Sequence, residues 1–342
     1  MTKVAVVILN WNGEKLIKEF LPEVIKYSNV DGVEIIVADN ASTDSSIDIL
    51  NNEYPEIKII SLDKNYGFTG GYNRALNQVK AEYFILLNSD IAPAKDWLPP
   101  LIKEMDENTQ TGICVPKIKS YRQPTEFEYA GAAGGYIDKY GFPFCKGRIF
   151  NQIEEDKGQY NESSSIFWAS GAALMIRSKL YFETGGLDED FFAHMEEIDL
   201  CWRLKNRGWD IKYIPNSEVY HLGGATLDYA NPKKVYLNFR NNLFLLTKNI
   251  AKNKLFIKLI QRMLLDGIAA IKFLASNEIN NFLSVLKAHF SFYSLFRTMY
   301  KKRLLNLKYT KINKHPEIYS RSIVVQFFIK KRRQYSQLED IF

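Results

Sequence analysis

Glu196, Glu197 and Asp199 place three carboxylates within four positions of the run Phe191 to Asp199. Like charges this close repel unless a helix N-terminus, a cation or a protonatable substrate offsets them. At about 100° per residue, Glu196 and Asp199 share one helix face and Glu197 points aside, so only some of the three can meet one substrate. Acid–base work on a hydroxyl is one use of such a set; a solvated first turn has the same composition. His194 and His221 do not complete HExxH, which argues against a zinc protease.

Three further groups carry chemistry. Asp39, followed by Asn40, Ala41, Ser42, Thr43 and Asp44, could accept the imide N–H of uracil or thymine, a role open only to an acceptor. Ser42 or Thr43 capping a helix, with Asp44 in its first turn, explains the same residues. The run Asn65 to Asn73, with Gly70 and Gly71, offers little bulk at a strand-to-helix turn, where backbone N–H groups can approach an anion. It is neither GxGxxG nor GxxxxGK[ST], so a dinucleotide fold and a P-loop are not indicated. Asn88, Ser89 and Asp90 end an apolar run, and a carboxylate there can hold Mg²⁺ or Mn²⁺ against a diphosphate, or simply cap a turn before Pro93.

The elements that must position these residues alternate. Val4 to Leu9, Val33 to Ala38, Ile57 to Leu62 and Tyr83 to Asn88 are short Val-, Ile- and Leu-rich runs, each followed by turn residues and a helix-compatible stretch. That order predicts βαβ units and an α/β, mostly parallel sheet flanked by helices, with ligands at the carboxyl ends of its strands. The candidate residues lie just there, together with Asn10 and Asn12. Ile166 to Ile176 reads as a further core strand carrying Trp168 and Gly171, a sugar platform and a close-approach position or equally core residues, and Glu196 to Arg207 as a helix closed by Gly208. Prolines and glycines between Ala92 and Asn161 predict long loops over the site.

The chain has 342 residues, 46% hydrophobic and 25% charged, enough for an enzyme core plus an accessory segment. Its first residues show no secretory leader and no stretch of about 18 apolar residues follows, so a cytoplasmic location is expected. Cys114, Cys145 and Cys201 are far apart and form no CxxC pair, which supports neither a disulfide framework nor a zinc knuckle. The net charge of +6 hides an asymmetry: from Lys248 to the end there are 19 basic and 5 acidic residues, and before it 26 and 34. An acidic body with a basic tail points to an anionic partner.

Taken in order, these pieces resemble the family 2 glycosyltransferases, most closely their rhamnosyltransferase-like bacterial branch. The matching segments are VVILNWNG at Val6 to Gly13, VADNASTD at Val37 to Asp44, NYGFTGGYN at Asn65 to Asn73, LLNSD at Leu86 to Asp90, GGLDEDFFAHMEEIDLCWR at Gly185 to Arg203, and VYHLGGAT at Val219 to Thr226. The resemblance implies the GT-A fold of nucleotide-diphospho-sugar transferases. It implies donor contacts from Asn10, Asn12, Asp39, Asn40, Asn65, Gly70, Gly71, Asn73 and Asn88, and a divalent metal, Mg²⁺ or Mn²⁺, at Asp90 and His221. Asn88 stands where the family's DxD element has its first acid, and Glu197 where its paired acids more usually end in Asp. Glu197, or Glu196, would be the base that deprotonates the acceptor hydroxyl for one inverting displacement, with Asp199 orienting.

Within the tail, Lys258, Arg262 and Asp266 recur every four residues among Phe256, Leu259, Ile260, Met263, Leu264 and Ile271, an amphipathic helix that suits either packing or a membrane surface. Phe290, Phe292, Tyr293, Phe296 and Tyr300 beside Lys301 to Arg303, and later Lys330 to Arg333, favour the headgroup layer of an anionic membrane. Nothing resembles an RNP or helix-turn-helix pattern, so nucleic acid is not an expected partner. The expectation is a catalytic domain over 1–237 and a basic helical extension over 238–342, peripheral at the inner membrane face, moving a sugar from dTDP-rhamnose or a UDP-hexose to a growing, polyprenyl-diphosphate-linked glycan. A sugar nucleotidyltransferase and a non-catalytic glycan-binding scaffold are the alternatives; the first lacks its glycine-rich loop at Asn10 to Gly13, and the intact acids count against the second.

Overall fold

The computed structural model describes residues 2–223 and 231–338. Its strands are β1 Val4–Asn10, β2 Val33–Asp39, β3 Lys58–Ser61, β4 Tyr83–Asn88, β5 Ile91–Pro93, β6 Thr111–Ser120, β7 Gly135–Asp138, β8 Pro143–Cys145, β9 Arg148–Ile149, β10 Gln152–Ile153, β11 Ser164–Ser165, β12 Ala173–Arg177, β13 Asp210–His221 and β14 Ile318–Tyr319. The helices are α1 Glu14–Tyr27, α2 Ser46–Glu53, α3 Gly67–Leu76, α4 Leu98–Glu107, α5 Ser178–Thr184, α6 Glu196–Asn206, α7 Pro232–Asn249, α8 Leu255–Ala275 and α9 Ile279–Tyr309. The main sheet runs β11-β13-β6-β12-β4-β1-β2-β3, with β5 paired to β13. The pairs among β4, β1, β2 and β3 are parallel, as is β13 with β6; β12 is antiparallel to both its neighbours.

Alternation along β1 shows why the sheet has two cores. Val4, Val6 and Ile8 face the cluster beneath α1, α2 and α4, whereas Ala5 and Val7 face the cluster that α3 and α6 cover. On α1, Ile17, Phe20, Leu21 and Val24 are the buried face at helical spacing.

Two expectations change. Of the predicted strand Ile166 to Ile176 only the end joins the sheet, in β12 Ala173–Arg177, because Trp168 bridges back to Gly135 and its indole N–H donates to the Tyr136 carbonyl at 2.9 Å. The loop region instead builds β6 and a small second sheet, β10-β9-β8-β7-β14, whose last strand arrives from the far end of the chain. Ile318 and Tyr319 pair in parallel with Ile137 and Asp138, and the Ile323 N–H donates to Asp138 at 2.9 Å.

The expected boundary at 237/238 falls inside α7. Leu243 to Leu246 of that helix, Phe292 and Met299 of α9, and Tyr319, Phe327 and Tyr335 belong to the same core as Phe191, Ile198 and Trp202. The basic tail is therefore built into the body that carries the acids.

Candidate active site

The carboxyl edge of β1 and β2 is wired by side chains. Asn10 donates to Asp39 Oδ1 at 3.0 Å, and Ser42 gives Asp39 its hydroxyl at 2.5 Å and its N–H at 2.9 Å. A carboxylate has about four lone pairs, so one on Oδ2 stays free to accept from a ligand. Asn10 Oδ1 is buried with no partner, a second open acceptor at this edge. Asn12, at φ +50°, accepts the Thr43 N–H at 2.7 Å, and Asn40 bonds Asn65, Gly67 and the Tyr66 N–H. Both set the loops of the edge. Asn65 is held there by Asn40 and by the Gly67 N–H at 2.8 Å, just before α3.

Packing engages five of the expected site residues. A Cβ on Gly71 would lie 2.8 Å from Leu9, so this glycine lets α3 press onto β1; Gly70 lies in the same turn, against Tyr66. Asn73 turns away to Leu187 and Tyr181, joining α3 to the loop before α6. Trp168 is buried over Gly135, whose missing side chain makes room for the indole, so it presents no face to a sugar. Asp199 is fully buried, paired with Arg203 at 2.8 Å, Lys248 at 2.7 Å and Asn249 at 2.8 Å, which removes it from any acceptor.

The acids sit on a strained approach. Phe192, His194 and Met195 all have positive φ, at 67°, 66° and 74°, a conformation costly for non-glycine residues. Asn241 of α7 holds it, its amide facing the carbonyls of Phe191, Ala193 and His194 at 2.9, 2.8 and 2.7 Å. Arg240 donates to the carbonyls of Asp190 and Phe191, each at 3.0 Å. Helix α6 then begins at Glu196, with the acids in its first turn and Arg203 and Lys205 in its last, as the helix dipole favours.

Burial and the neighbouring Glu197 raise the Glu196 carboxyl well above its ordinary range. Burial lifts Glu197 to about 7, against its backbone hydrogen bonds. Each acid keeps one buried oxygen without a partner. Glu197 is the more open of the two. Gly171 stands between it and the start of α3: a Cβ there would lie 3.7 Å from the Glu197 Cβ and 3.6 Å from the Phe68 ring of α3. Phe192 closes the same gap, its ring 3.1 Å from where a Cβ on Gly67 would be.

Asp90 follows β4 and His221 ends β13, brought together because β5 pairs with β13. His221 Nε2 is 3.2 Å from Asp90 Oδ1, and Nδ1 is 3.3 Å from Glu128 Oε2. Burial opposes a charge on the ring, but the two carboxylates outweigh it and raise His221 to about 10. Among the described residues no group of three or more Asp, Glu, His or Cys side chains is arranged to hold a cation alone. Asp90 and His221 still suit one: neighbouring ligands on an octahedral ion with bonds of about 2.1 Å stand roughly 3 Å apart, and such ions usually take one or two protein ligands plus phosphate oxygens. Asn88 ends β4 beside Leu9 of β1, at the carboxyl edge of the sheet. Gly224 to Thr226 of the last matching segment lie outside the described residues. Glu128, Asn241 and Lys248 were not singled out in the sequence, where only a run of amides and a charge count could have marked the latter two.

A family model described as "Glycosyl transferase family 2" matches residues 5–181. An N-acetylglucosaminyl-diphospho-decaprenol L-rhamnosyltransferase of Mycobacterium tuberculosis is 26% identical over 207 residues, 55% of this chain and 66% of that one, so this chain spans just under two thirds of that relative. The low-salt glycan biosynthesis hexosyltransferase Agl10 of Haloferax volcanii is 25% identical over 76% of this chain and 78% of its own. The rhamnosyltransferase WbbL of Escherichia coli is 24% identical over 64% and 83%. Among solved structures, GalNAc-T7 with UDP, GalNAc and Mn²⁺ superposes with a TM-score of 0.55 at 17% identity, covering 72% of this chain and 48% of that one. The mannosyltransferase PcManGT from Pyrobaculum calidifontis, with GDP-Man and Mn²⁺, gives 0.52 at 14%, covering 90% and 85%.

Proposed function

This chain belongs to glycosyl transferase family 2 and has the GT-A fold, and on that footing we propose that it transfers a sugar from a nucleoside diphosphate donor to a glycan hydroxyl with inversion. The observation that carries the proposal is the meeting at Gly171 of the buried acid Glu197 with the donor edge of α3. Asp39 and Asn10 offer acceptors to the base, and Asn65 fixes the loop beside it. Glu197 takes the acceptor proton as the hydroxyl oxygen attacks the anomeric carbon and the nucleoside diphosphate departs. A divalent cation held by Asp90 and His221 would neutralise charge on that diphosphate. Glu196, deeper and raised well above the ordinary carboxylate range by burial and by Glu197, limits repulsion beside the base. Asp199 fixes α6 from behind.

A rhamnose carried on dTDP is the donor we favour, because two relatives are named rhamnosyltransferases, with UDP-hexoses next. The acceptor we propose is a polyprenyl-diphosphate-linked glycan, after the decaprenol-linked substrate in one relative's name. The surface supports that choice. Phe256, Ile260, Leu264, Ile268 and Ile271 form an exposed apolar stripe on α8, continued by Leu283, Leu286 and Phe290 on α9. Among the described residues no helix is long and apolar enough to cross a membrane. An amphipathic hairpin flanked by Lys252, Lys254, Lys272 and Lys287 instead suits docking on an anionic leaflet, at the inner face of the cell membrane.

The test is thermal shift against UDP-, dTDP-, GDP- and CDP-sugars, with and without Mn²⁺. Ligand binding raises the melting temperature without turnover. A metal-dependent rise with one nucleotide is expected, and it is lost in Asp90→Ala. No rise with any donor rejects the proposal.

A further inference from the structure

Glu128 lies in the stretch between β6 and β7, far from the acids in sequence, yet its carboxylate is buried against His221. Its Oε2 accepts the Ala130 N–H, which fixes the carboxylate, and lies 3.3 Å from His221 Nδ1. Among the described residues no group meets hydrogen-bond geometry at that nitrogen, so the ion-pair contact with Glu128 is what faces it. Room for the carboxylate is kept by Gly223: at φ +65°, a Cβ on this residue would lie 2.8 Å from Glu128 Oε1. Asp90 occupies the opposite side of the ring, 3.2 Å from Nε2.

We propose that Glu128 is a positioning residue for His221, holding the Nδ1–H tautomer so that the Nε2 lone pair faces the position beside Asp90 where a divalent cation binds. The proposal rests on the metal reading of Asp90 and His221. The chemistry is that of a carboxylate behind a metal-bound imidazole: accepting the far N–H fixes ring orientation and makes the near nitrogen a stronger donor. With an apolar side chain in its place, nothing selects the tautomer, and the ring can turn a proton toward the cation.

The experiment is a titration of Mn²⁺ alone into full-length protein labelled with ¹⁵N-histidine. The chain has 4 histidines, so the side-chain signals are few, and His221→Asn identifies the relevant one. Paramagnetic loss of that signal reads occupancy at Nε2, and the shifts with diamagnetic Mg²⁺ in its place read the tautomer of the metal-bound ring, since the free ring carries both protons at neutral pH. Glu128→Leu is expected to need about 10–100-fold more Mn²⁺ and to lose the single tautomer; Glu128→Gln, which keeps an acceptor oxygen and the shape, should fall between it and wild type. An unchanged Mn²⁺ midpoint in Glu128→Leu, with wild type and Asp90→Asn clearly different, overturns the inference and leaves the metal site standing. A wild-type signal untouched by Mn²⁺ overturns both. Should Glu128→Leu not fold, the decision passes to Glu128→Gln, where a wild-type midpoint and tautomer overturn the inference.

Discussion

Burial that lifts Glu197 from 4.5 to about 7 equips it to take a proton near neutral pH, and the same burial makes its charge a cost to the fold. Only the anion can act, so kcat/KM should rise with pH and level off above about 7. The stability sign is opposite. A folded-state value above the ordinary one contributes stability that is complete below pH 4.5 and lost as pH rises through about 7. Glu197→Gln is therefore expected to abolish transfer, keep donor binding, and melt higher than wild type at pH 8, with the gap narrowing at pH 5. Full turnover in that variant removes Glu197 as the base. At this scale the sequence displayed the chemistry-bearing types and hid their partners. Asp39, Asp90, His221 and the acid pair carry the proposed chemistry, but Asp199, two positions from Glu197, is turned the other way by the helix. Lys248, 49 positions away, decides that it is a structural anion. The surroundings of Trp168 and Asn73 were hidden for the same reason: Gly135 and Leu187, which they pack against, are not their sequence neighbours.

The first four strands were legible because each is a short apolar run with turn residues after it, and their register follows from alternation. The second sheet was not, since its strands are two to four residues long and one comes from Ile318–Tyr319. Helix α7 is the element with most influence on the acids. Asn241 faces three carbonyls of the strained loop, and Lys248 joins Asp188 to Asp199, while Lys302 of α9 also bonds Asp188 and Asp190 at 2.5 and 2.7 Å. Asn241→Ala leaves buried carbonyls without a donor, at about 1–3 kcal/mol. It should lower kcat several-fold with donor affinity kept, as measured by initial rates and by nucleotide-induced melting shifts. Equal losses in both would place Asn241 in the general core rather than behind the acids.

Over the whole molecule, the apolar stripe of α8 and α9 lies outside while the opposite faces of these helices are core. Arg262 and Asp266 pair at 2.7 Å beneath α8, and Phe292 and Met299 are buried. Removing the tail would therefore unfold the site along with any membrane attachment. Ile260→Gln with Leu264→Gln and Ile268→Gln touches only exposed positions. This triple variant is expected to fold normally and to lose co-sedimentation with vesicles containing phosphatidylglycerol, and retained binding places the membrane contact elsewhere. Composition foretold the charge of the tail, and the recurrence of Lys258, Arg262 and Asp266 foretold a helix; its shared core was hidden, because a period does not say which face turns inward, and here Arg262 and Asp266 are buried while Ile260 and Leu264 are exposed.

The pairing of late residues with early ones also orders events in time. Donor-edge strands β1 to β4 are complete within the first 88 residues, whereas the clamp on the acids needs Asn241, Lys248 and Lys302. During synthesis the residues of that edge emerge first, and those that hold the acids emerge some two hundred positions later. On the proposed function, the base is therefore set only after the edge proposed for the donor is already built.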